Sequence, residues 1–522
     1  MAGVRTMTNP NGSDAQVEFP IRLACVDTGS NGIRFMAVEF TSPARYTTLH
    51  SERVPIRLGH QVFLTGRLAP ETMDATVEAF QRFQGYLKQF DIEHYRAVAT
   101  SAVREARNGP LLVERIARET GIRLKAITGS EEARLVHLAV AARIGLEGGR
   151  WLLVDLGGGS VELSLVDDSG MLWSETHSMG SVRLLERLAE PGNEPGAFQR
   201  LLSEYVAVMN IPAPAQYWQP TGFIGCGGNI EALAALAAPG KTKDGVSRLP
   251  VSGLDSAIGL LARLSYSERI EQLGLRHDRA DVILPAAVVF RRLAELTGTR
   301  EILVPHIGVK EGVTLDLMAD LDSRATNDSR QEKQLTQAAV SFGRRYMFDE
   351  AHGRHVARLA VSVFDQLESL HGQGSHARHL LKVAAILHDI GVFVAMKKHH
   401  KHTLYILGNS EIPGLSPREM AIVGNVARYH RKSHPRSHHR AYASLAPADR
   451  VLVDHLGAIL RLVDGLDRQR RQLIRSVTAT LDGRSLRLSA DCAGDVLLER
   501  WTVDQKKGLF EETFGLRVII DF

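Results

Sequence analysis

At 522 residues the chain exceeds what a single hydrophobic core organises, so three or four domains are expected. Its 44% hydrophobic and 23% charged residues match an ordinary soluble globular protein, and no apolar run approaches the roughly 20 residues of a membrane helix. A net charge of +4 implies no specific nucleic-acid partner, and three widely spaced cysteines (Cys25, Cys226, Cys492) argue for a reducing, cytoplasmic setting without disulfides or a cysteine zinc site.

Residues 1–19 are polar and lack the apolar segment of a secretory signal, which predicts a disordered tail. From Arg22 to Leu321 short apolar strands alternate with amphipathic helices. Runs beginning at Arg22, Tyr95 and Trp151 read as strands, and Glu71 to Phe90 and Leu111 to Thr120 read as helices. The alternation predicts an α/β architecture. Two strands run directly into glycine-rich turns, Asp27-Thr-Gly-Ser-Asn31 and Asp155-Leu-Gly-Gly-Gly-Ser160. Their recurrence about 130 residues apart suggests two similar lobes, residues 20–135 and 136–321.

The polar segment 322–333 reads as a linker. Beyond it, residues 334–475 are helical in character and rich in histidine. Residues 476–522 return to strand-like runs around Asp482-Gly483 and read as a small α/β domain. Two arginine-rich stretches, Arg428 to Arg440 and Arg461 to Arg475, fit either a solvated surface or a track for a long anion.

A glycine-rich turn after a strand lets successive N–H groups approach phosphate oxygens, and a carboxylate at the strand end, Asp27 or Asp155, can hold hydrated Mg²⁺ beside them. One such turn is a weak signal, but two of the same Asp-x-Gly form are considerably more specific. Further segments follow in order: Ala99-Thr-Ser-Ala-Val-Arg104, Thr128-Gly-Ser-Glu-Glu132-Ala-Arg134, Asp155 through Glu162, Met179-Gly-Ser-Val-Arg183, Gly225-Cys-Gly-Gly-Asn229 and Lys310-Glu-Gly312. The series resembles exopolyphosphatases and guanosine pentaphosphate phosphohydrolases, from about Arg22 to the C-terminus.

That resemblance implies two actin-like, ribonuclease H-like lobes closing over phosphate, with Glu132 as the general base that activates water. It places Mg²⁺ or Mn²⁺ at Asp155 and Glu162, with Asp27 as a third carboxylate. Phosphate contacts fall to Ser30, Asn31, Arg104, Gly157, Gly158, Gly159, Ser160, Gly227 and Gly228, with Arg34 at the edge of the first turn. Two departures bear on substrate preference. Gly32 stands where a serine often follows the asparagine, and Asn229 where the family often has threonine or serine.

In the helical region His388-Asp389 follows Ala384-Ala-Ile-Leu387, and His352 and Asp464 flank it in order. This resembles the HD superfamily of metal-dependent phosphohydrolases. Imidazole and carboxylate together suit a divalent transition metal, and His402 and His430 extend the set toward a second ion.

The leading expectation is an exopolyphosphatase releasing orthophosphate from inorganic polyphosphate. Alternatives are a pppGpp 5′-phosphohydrolase yielding ppGpp, and a non-catalytic polyphosphate or (p)ppGpp sensor, against which the retained Glu132 argues. The resemblance also implies a homodimer. Sugar-kinase chemistry is disfavoured because no sugar-binding signature is evident, and fold analogy alone separates none of these.

Overall fold

Residues 23–28 are buried without interruption, the pattern of a strand covered on both faces, and they form the centre of the first sheet. The computed structural model describes residues 18–168, 170–188, 197–211, 220–237, 245–322 and 324–522. The expected tail therefore lies, through residue 17, outside the described residues. The first sheet comprises β1 (Ile21–Gly29), β2 (Gly32–Ser42), β3 (Arg45–Val54), β4 (His94–Ala99) and β5 (Leu124–Ala126), in the order β3-β2-β1-β4-β5. Helix α1 (Gly129–Arg143) follows it.

The second sheet comprises β6 (Trp151–Leu156), β7 (Val161–Asp167), β8 (Gly170–His177), β9 (Gly222–Cys226), β10 (Ser247–Pro250) and β11 (Glu301–Val304). Its order is β10-β11-β9-β6-β7-β8. In both sheets an antiparallel meander of three strands is extended by two parallel strands on the side of its first strand, and the second sheet adds β10 antiparallel at its edge. The two lobes thus repeat one topology, and each glycine-rich turn is the first hairpin of its lobe.

Helix α2 (Gly228–Ala237) springs from the end of β9 through Gly227, whose φ of +94° is left-handed and favours glycine. Helix α3 (Val309–Asp322) returns from the second lobe to pack against β1, β4 and α1. One core joins Leu23 and Val98 of the first sheet, Leu135 and Val140 of α1, Leu153 and Ile224 of the second sheet, and Val313 of α3. The approach of α3 to α1 is so close that a Cβ on Gly312 would lie 2.0 Å from the Leu135 carbonyl oxygen. A boundary at residue 135 accordingly falls inside α1, and α3 is shared between the lobes.

The segment read as a linker is helical, because α4 (Arg324–Arg345) takes up most of it. The reason is compositional: residues 322–333 are polar but contain neither glycine nor proline, so nothing there stops a helix. Helix α4 packs against β8, tying the second lobe to the helical domain. That domain continues with α5 (Glu350–Gln366), α6 (Ser375–Leu387), α7 (His399–Gly408), α8 (Pro417–Arg428) and α9 (Pro447–Asp464). Helix α8 starts on a capping box, Ser416 with Glu419, with Pro417 at its first position.

Strands β12 (Ile474–Asp482), β13 (Ser485–Cys492) and β14 (Arg517–Asp521) form the last sheet. Ile474, Leu486 and Val518 of this sheet share one core with the helical domain. Among the described residues no helix is long and apolar enough to cross a membrane.

Candidate active site

The hairpin β6–β7 pairs Asp155 directly with Glu162, and their side chains meet Glu132 from the first turn of α1. One oxygen from each of the three carboxylates lies within 4.8 Å of the others. All three are buried: Glu132 is 5% exposed, Asp155 7% and Glu162 1%. Burial and then the Asp27 carboxylate push Asp155 up to about 7. Burial and then Asp155 push Glu162 up to about 8. Glu132 is raised well above the usual carboxylate range by burial, then Glu162, then Asp155, with Arg104 opposing. Arg104 Nη1 stands 3.9 Å from Glu132 Oε2 and donates to the Ile127 carbonyl at 2.7 Å.

Both Glu162 oxygens and Glu132 Oε2 are buried without hydrogen-bond partners among the described residues. Orphaned carboxylate oxygens of this kind fit a hard divalent cation such as Mg²⁺ or Mn²⁺, which takes oxygen ligands. Asp27 sits at the corresponding rung of the first hairpin, but its partner there is Arg34, whose Nη1 donates to Asp27 Oδ2 at 2.8 Å. Among the described residues Asp27 is therefore not part of the carboxylate triad, although it lines the same cleft.

The glycine turns face each other across that cleft. A Cβ on Gly158 would lie 3.0 Å from Ser30 Cβ, so the two hairpins touch. The carbonyls of the second turn are engaged from behind, with the N–H groups of Ser181 and Val182 donating to Gly157 and Gly158. Gly157, Gly158, Ser160, Gly227 and Gly228 line the cleft, as do Ser30 and Asn31. Gly159 instead packs against Ser101 and Phe63, and its carbonyl accepts from Arg183 Nε at 2.6 Å. Asn31 is tied to the second lobe, its Nδ2 donating to the Asp278 carbonyl at 2.7 Å.

The same cleft is lined by a group of guanidinium side chains, of which the sequence pointed only to Arg34. Arg34, Arg53, Arg276 and Arg279 all line the cleft, whose volume is about 260 Å³. Arg279 is 7% exposed and its Nη1 donates to Asn229 Oδ1 at 2.5 Å, a neutral partner. Burial, then the neighbouring Arg34, Arg276 and Arg53, lower it to about 10. Arg53 and Arg276 share one carboxylate, Asp278. Arg34 is paired with Asp27, and Arg53 and Arg276 with Asp278, so among the described residues Arg279 is the one of the four without an ion-paired carboxylate. The group can act as a cradle for a polyanion.

The family model described as the Ppx/GppA phosphatase family matches residues 38–321, more than half the chain. The chain belongs to this family. A model of domain III of the Ppx/GppA phosphatases matches residues 336–506. The guanosine-5′-triphosphate,3′-diphosphate pyrophosphatase of Vibrio vulnificus is 25% identical over 481 residues, covering 90% of this chain and 91% of the relative. The protein so named from Aeromonas hydrophila is 25% identical over 409 residues, covering 77% of this chain and 79% of the relative. Among solved structures, an exopolyphosphatase from Cytophaga hutchinsonii matches with a TM-score of 0.54 and 26% identity, covering 57% of this chain and 98% of that one. Membership in the Ppx/GppA family makes the chain a phosphatase, in agreement with the motif series.

The region matched by the Ppx/GppA domain III model gathers a second set of donors. His388 is fully buried, and its Nδ1 lies 2.8 Å from the Ala385 carbonyl oxygen. Its Nε2 is thereby left facing Asp464 Oδ1 at 3.2 Å and Asp389 Oδ2 at 3.8 Å. His352 Nε2 lies 3.5 Å from Asp464 Oδ1, and its Nδ1 is 2.8 Å from Asp467. Asp389 Oδ1 also meets His399 Nε2 at 3.0 Å and His430 Nε2 at 3.5 Å.

The four expected residues thus converge, and His430 joins them. His402 does not belong to either ligand group; His399 takes that place. Two cations reach in from later in the chain, Arg470 onto Asp389 and Lys506 onto Asp464. Neither was anticipated.

Proposed function

We propose that the chain is an exopolyphosphatase that releases orthophosphate from the ends of inorganic polyphosphate. The observation that carries this reading is the meeting, in one cleft, of buried carboxylates with the cradle of Arg34, Arg53, Arg276 and Arg279. The guanidinium groups bind and orient the phosphates that lie in the cleft. Turn N–H groups and the Ser30 and Ser160 hydroxyls surround the terminal group. Glu132 accepts a proton from water as the new P–O bond forms and the anhydride P–O bond breaks. Burial, Glu162 and Asp155 raise Glu132 well above the usual carboxylate range, and Arg104 beside it opposes them by favouring the ionised form.

Asp155 and Glu162 would hold Mg²⁺ or Mn²⁺, with Asp27 nearby, and a bound cation would supply charge neutralisation for the phosphate oxygens. The reading extends to a homodimer; exposed Leu497, Leu498 and Trp501 offer apolar surface for such an interface, and light scattering tests it.

A second reading, hydrolysis of pppGpp to ppGpp, is favoured by the names of the Vibrio and Aeromonas relatives, the former aligned over 90% of the chain. Orthophosphate release from polyphosphate and from pppGpp, measured side by side with Mg²⁺, decides between them. A higher kcat/KM for polyphosphate supports the first, the reverse supports the second, and no release from either overturns both.

The donor set of His352, His388, Asp389 and Asp464, with His399 and His430, further supports a divalent transition metal in the helical domain, separate from the cleft cation. Its role in this reading is stability, regulation or a secondary phosphohydrolase activity, and not the release of phosphate from polyphosphate.

A further inference from the structure

A pocket of about 310 Å³ adjoins the cleft where helix α1 begins. Arg104 and Ser130 of the first lobe, Thr176 of β8, and Ser341, Arg345 and Glu411 of the helical region line it. Glu132 stands between the two spaces: it lines the cleft, while Arg104, whose Nη1 is 3.9 Å from it, lines the pocket. Its buried Oε2 has no hydrogen-bond partner.

The first turn of α1 divides its N–H groups between two sources. Those of Glu131 and Glu132 are satisfied locally by Thr128, at 3.2 Å to its hydroxyl and 3.0 Å to its carbonyl. The Ser130 N–H donates instead to Glu411 Oε2 at 3.1 Å, across 281 positions of sequence. Glu411 is an exposed residue between α7 and α8, and no ion pair holds it among the described residues. Arg345 likewise has no carboxylate within ion-pair distance among the described residues, and its guanidinium lies over the Phe342 ring. The pocket's other acid, Glu175, lies 3.9 Å from His177. Arg104, Arg345 and the first turn of α1 therefore line one space, in which the exposed Glu411 carboxylate is the acid that accepts from the helix end.

We propose that the Glu411 carboxylate occupies a phosphate subsite, standing where an inner phosphate of a polyphosphate chain sits when the terminal phosphate is at Glu132. Loading the chain displaces Glu411 from the Ser130 N–H and brings the inner phosphate between Arg104 and Arg345. Short anions that fill only the cleft do not reach the subsite, so Glu411 sets a chain-length preference. This proposal rests on the polyanion-hydrolysing reading of the cleft.

The test compares Glu411→Gln and Arg345→Ala with wild type, using orthophosphate and long-chain polyphosphate as probes. Binding is measured by calorimetry in a Glu132→Gln background, and KM and kcat in the active enzyme. Glu411→Gln keeps a hydrogen-bond acceptor but removes the competing charge. It should tighten long-chain binding about tenfold, the scale of one charge-assisted hydrogen bond, with orthophosphate binding and kcat unchanged. Arg345→Ala should weaken long-chain binding alone. Unchanged or weaker long-chain binding by Glu411→Gln overturns the subsite. A fall in kcat at unchanged affinity also overturns it, making Glu411 only a cap that positions α1. A wild type that releases no phosphate would defeat the hydrolytic reading, while the binding arms still report on the subsite.

Discussion

Asp155 and Glu162 face each other across the β6–β7 ladder, whereas the same rung of the β1–β2 ladder pairs Asp27 with Arg34. The two lobes repeat one hairpin with opposite charge at one position. Two carboxylates on one rung repel and are destabilising unless a proton or a cation lies between them. The arginine in the other hairpin neutralises its aspartate and leaves a guanidinium at the cleft. The repeat thus places two carboxylates on one hairpin and a carboxylate–guanidinium pair on the other, an arrangement that suits the proposed binding of a cation and a phosphate on opposite sides.

That division has a pH signature. Asp155 at about 7 and Glu162 at about 8 hold protons in the folded state that an unfolded chain, with ordinary values near ~4, would release. Folded-state pKa values raised above the unfolded ones contribute stability that is full below the ordinary carboxylate range and is lost progressively as pH rises from there to about 7 to 8. In chelator, the melting temperature should fall as pH rises across this window, more steeply for wild type than for Glu162→Gln. Added Mg²⁺ should recover the loss chiefly at the alkaline end. Parallel melting curves for the two proteins would contradict the assignment.

Glu132→Gln should nearly abolish phosphate release while leaving polyphosphate binding largely intact. Glutamine keeps the shape of the side chain but accepts no proton, and loss of a general base costs about 10²–10⁴-fold in rate. Because burial and the neighbouring carboxylates raise the Glu132 pKa, the acid limb of the wild-type kcat profile should lie above the usual carboxylate range. A variant retaining more than about a tenth of wild-type turnover would exclude Glu132 as the base.

The parts of this site that were legible in sequence are those written in contiguous residues. Each turn carries its own strand-end carboxylate and glycines, and Thr128 through Glu132 spells a helix start with the acid in its first turn. The arginine cradle was not legible, because Arg53 comes from β3 and Arg276 and Arg279 from around a short helix more than 200 positions later. The run Arg276-His-Asp-Arg279 was its only local trace. His399 escaped for a different reason. Histidines stand at 399, 400 and 402, and which of them points inward is set by where α7 begins, after a left-handed Lys398. Residues 322–333 differ from the expected linker because their Ser, Thr, Asn and Asp favour a loop only weakly, and with neither glycine nor proline present α4 takes up most of them.

Arg279→Ala should raise KM for polyphosphate about tenfold with kcat within about threefold of wild type. The reasoning is electrostatic: among the described residues this buried guanidinium donates to neutral Asn229 and makes no ion pair, with Asp278 acting on it only from further away, so the substrate would bring countercharge. A contact made equally in the ground and transition states appears in KM alone. A collapse of kcat at unchanged KM would instead place Arg279 on the reacting phosphate.

His388→Ala combined with Asp389→Ala should remove a transition metal from the purified protein without removing phosphate release from polyphosphate. His388 and Asp389 are the residues through which His352 and Asp464 on one side meet His399 and His430 on the other, so their loss dismantles both ligand groups at once. The proposed cleft cation would be held by Asp155 and Glu162 of the lobes, and its binding should be unaffected. Elemental analysis and the polyphosphate assay on the same preparation check both halves. Unchanged metal content overturns the site in the helical domain. A folded, metal-free double variant that no longer hydrolyses polyphosphate would move the principal chemistry from Glu132 to the histidine cluster. Lys506→Met provides the complementary arm. With the ammonium gone from Asp464, the cluster should bind its metal more tightly, because the ion no longer competes with an internal cation for that carboxylate.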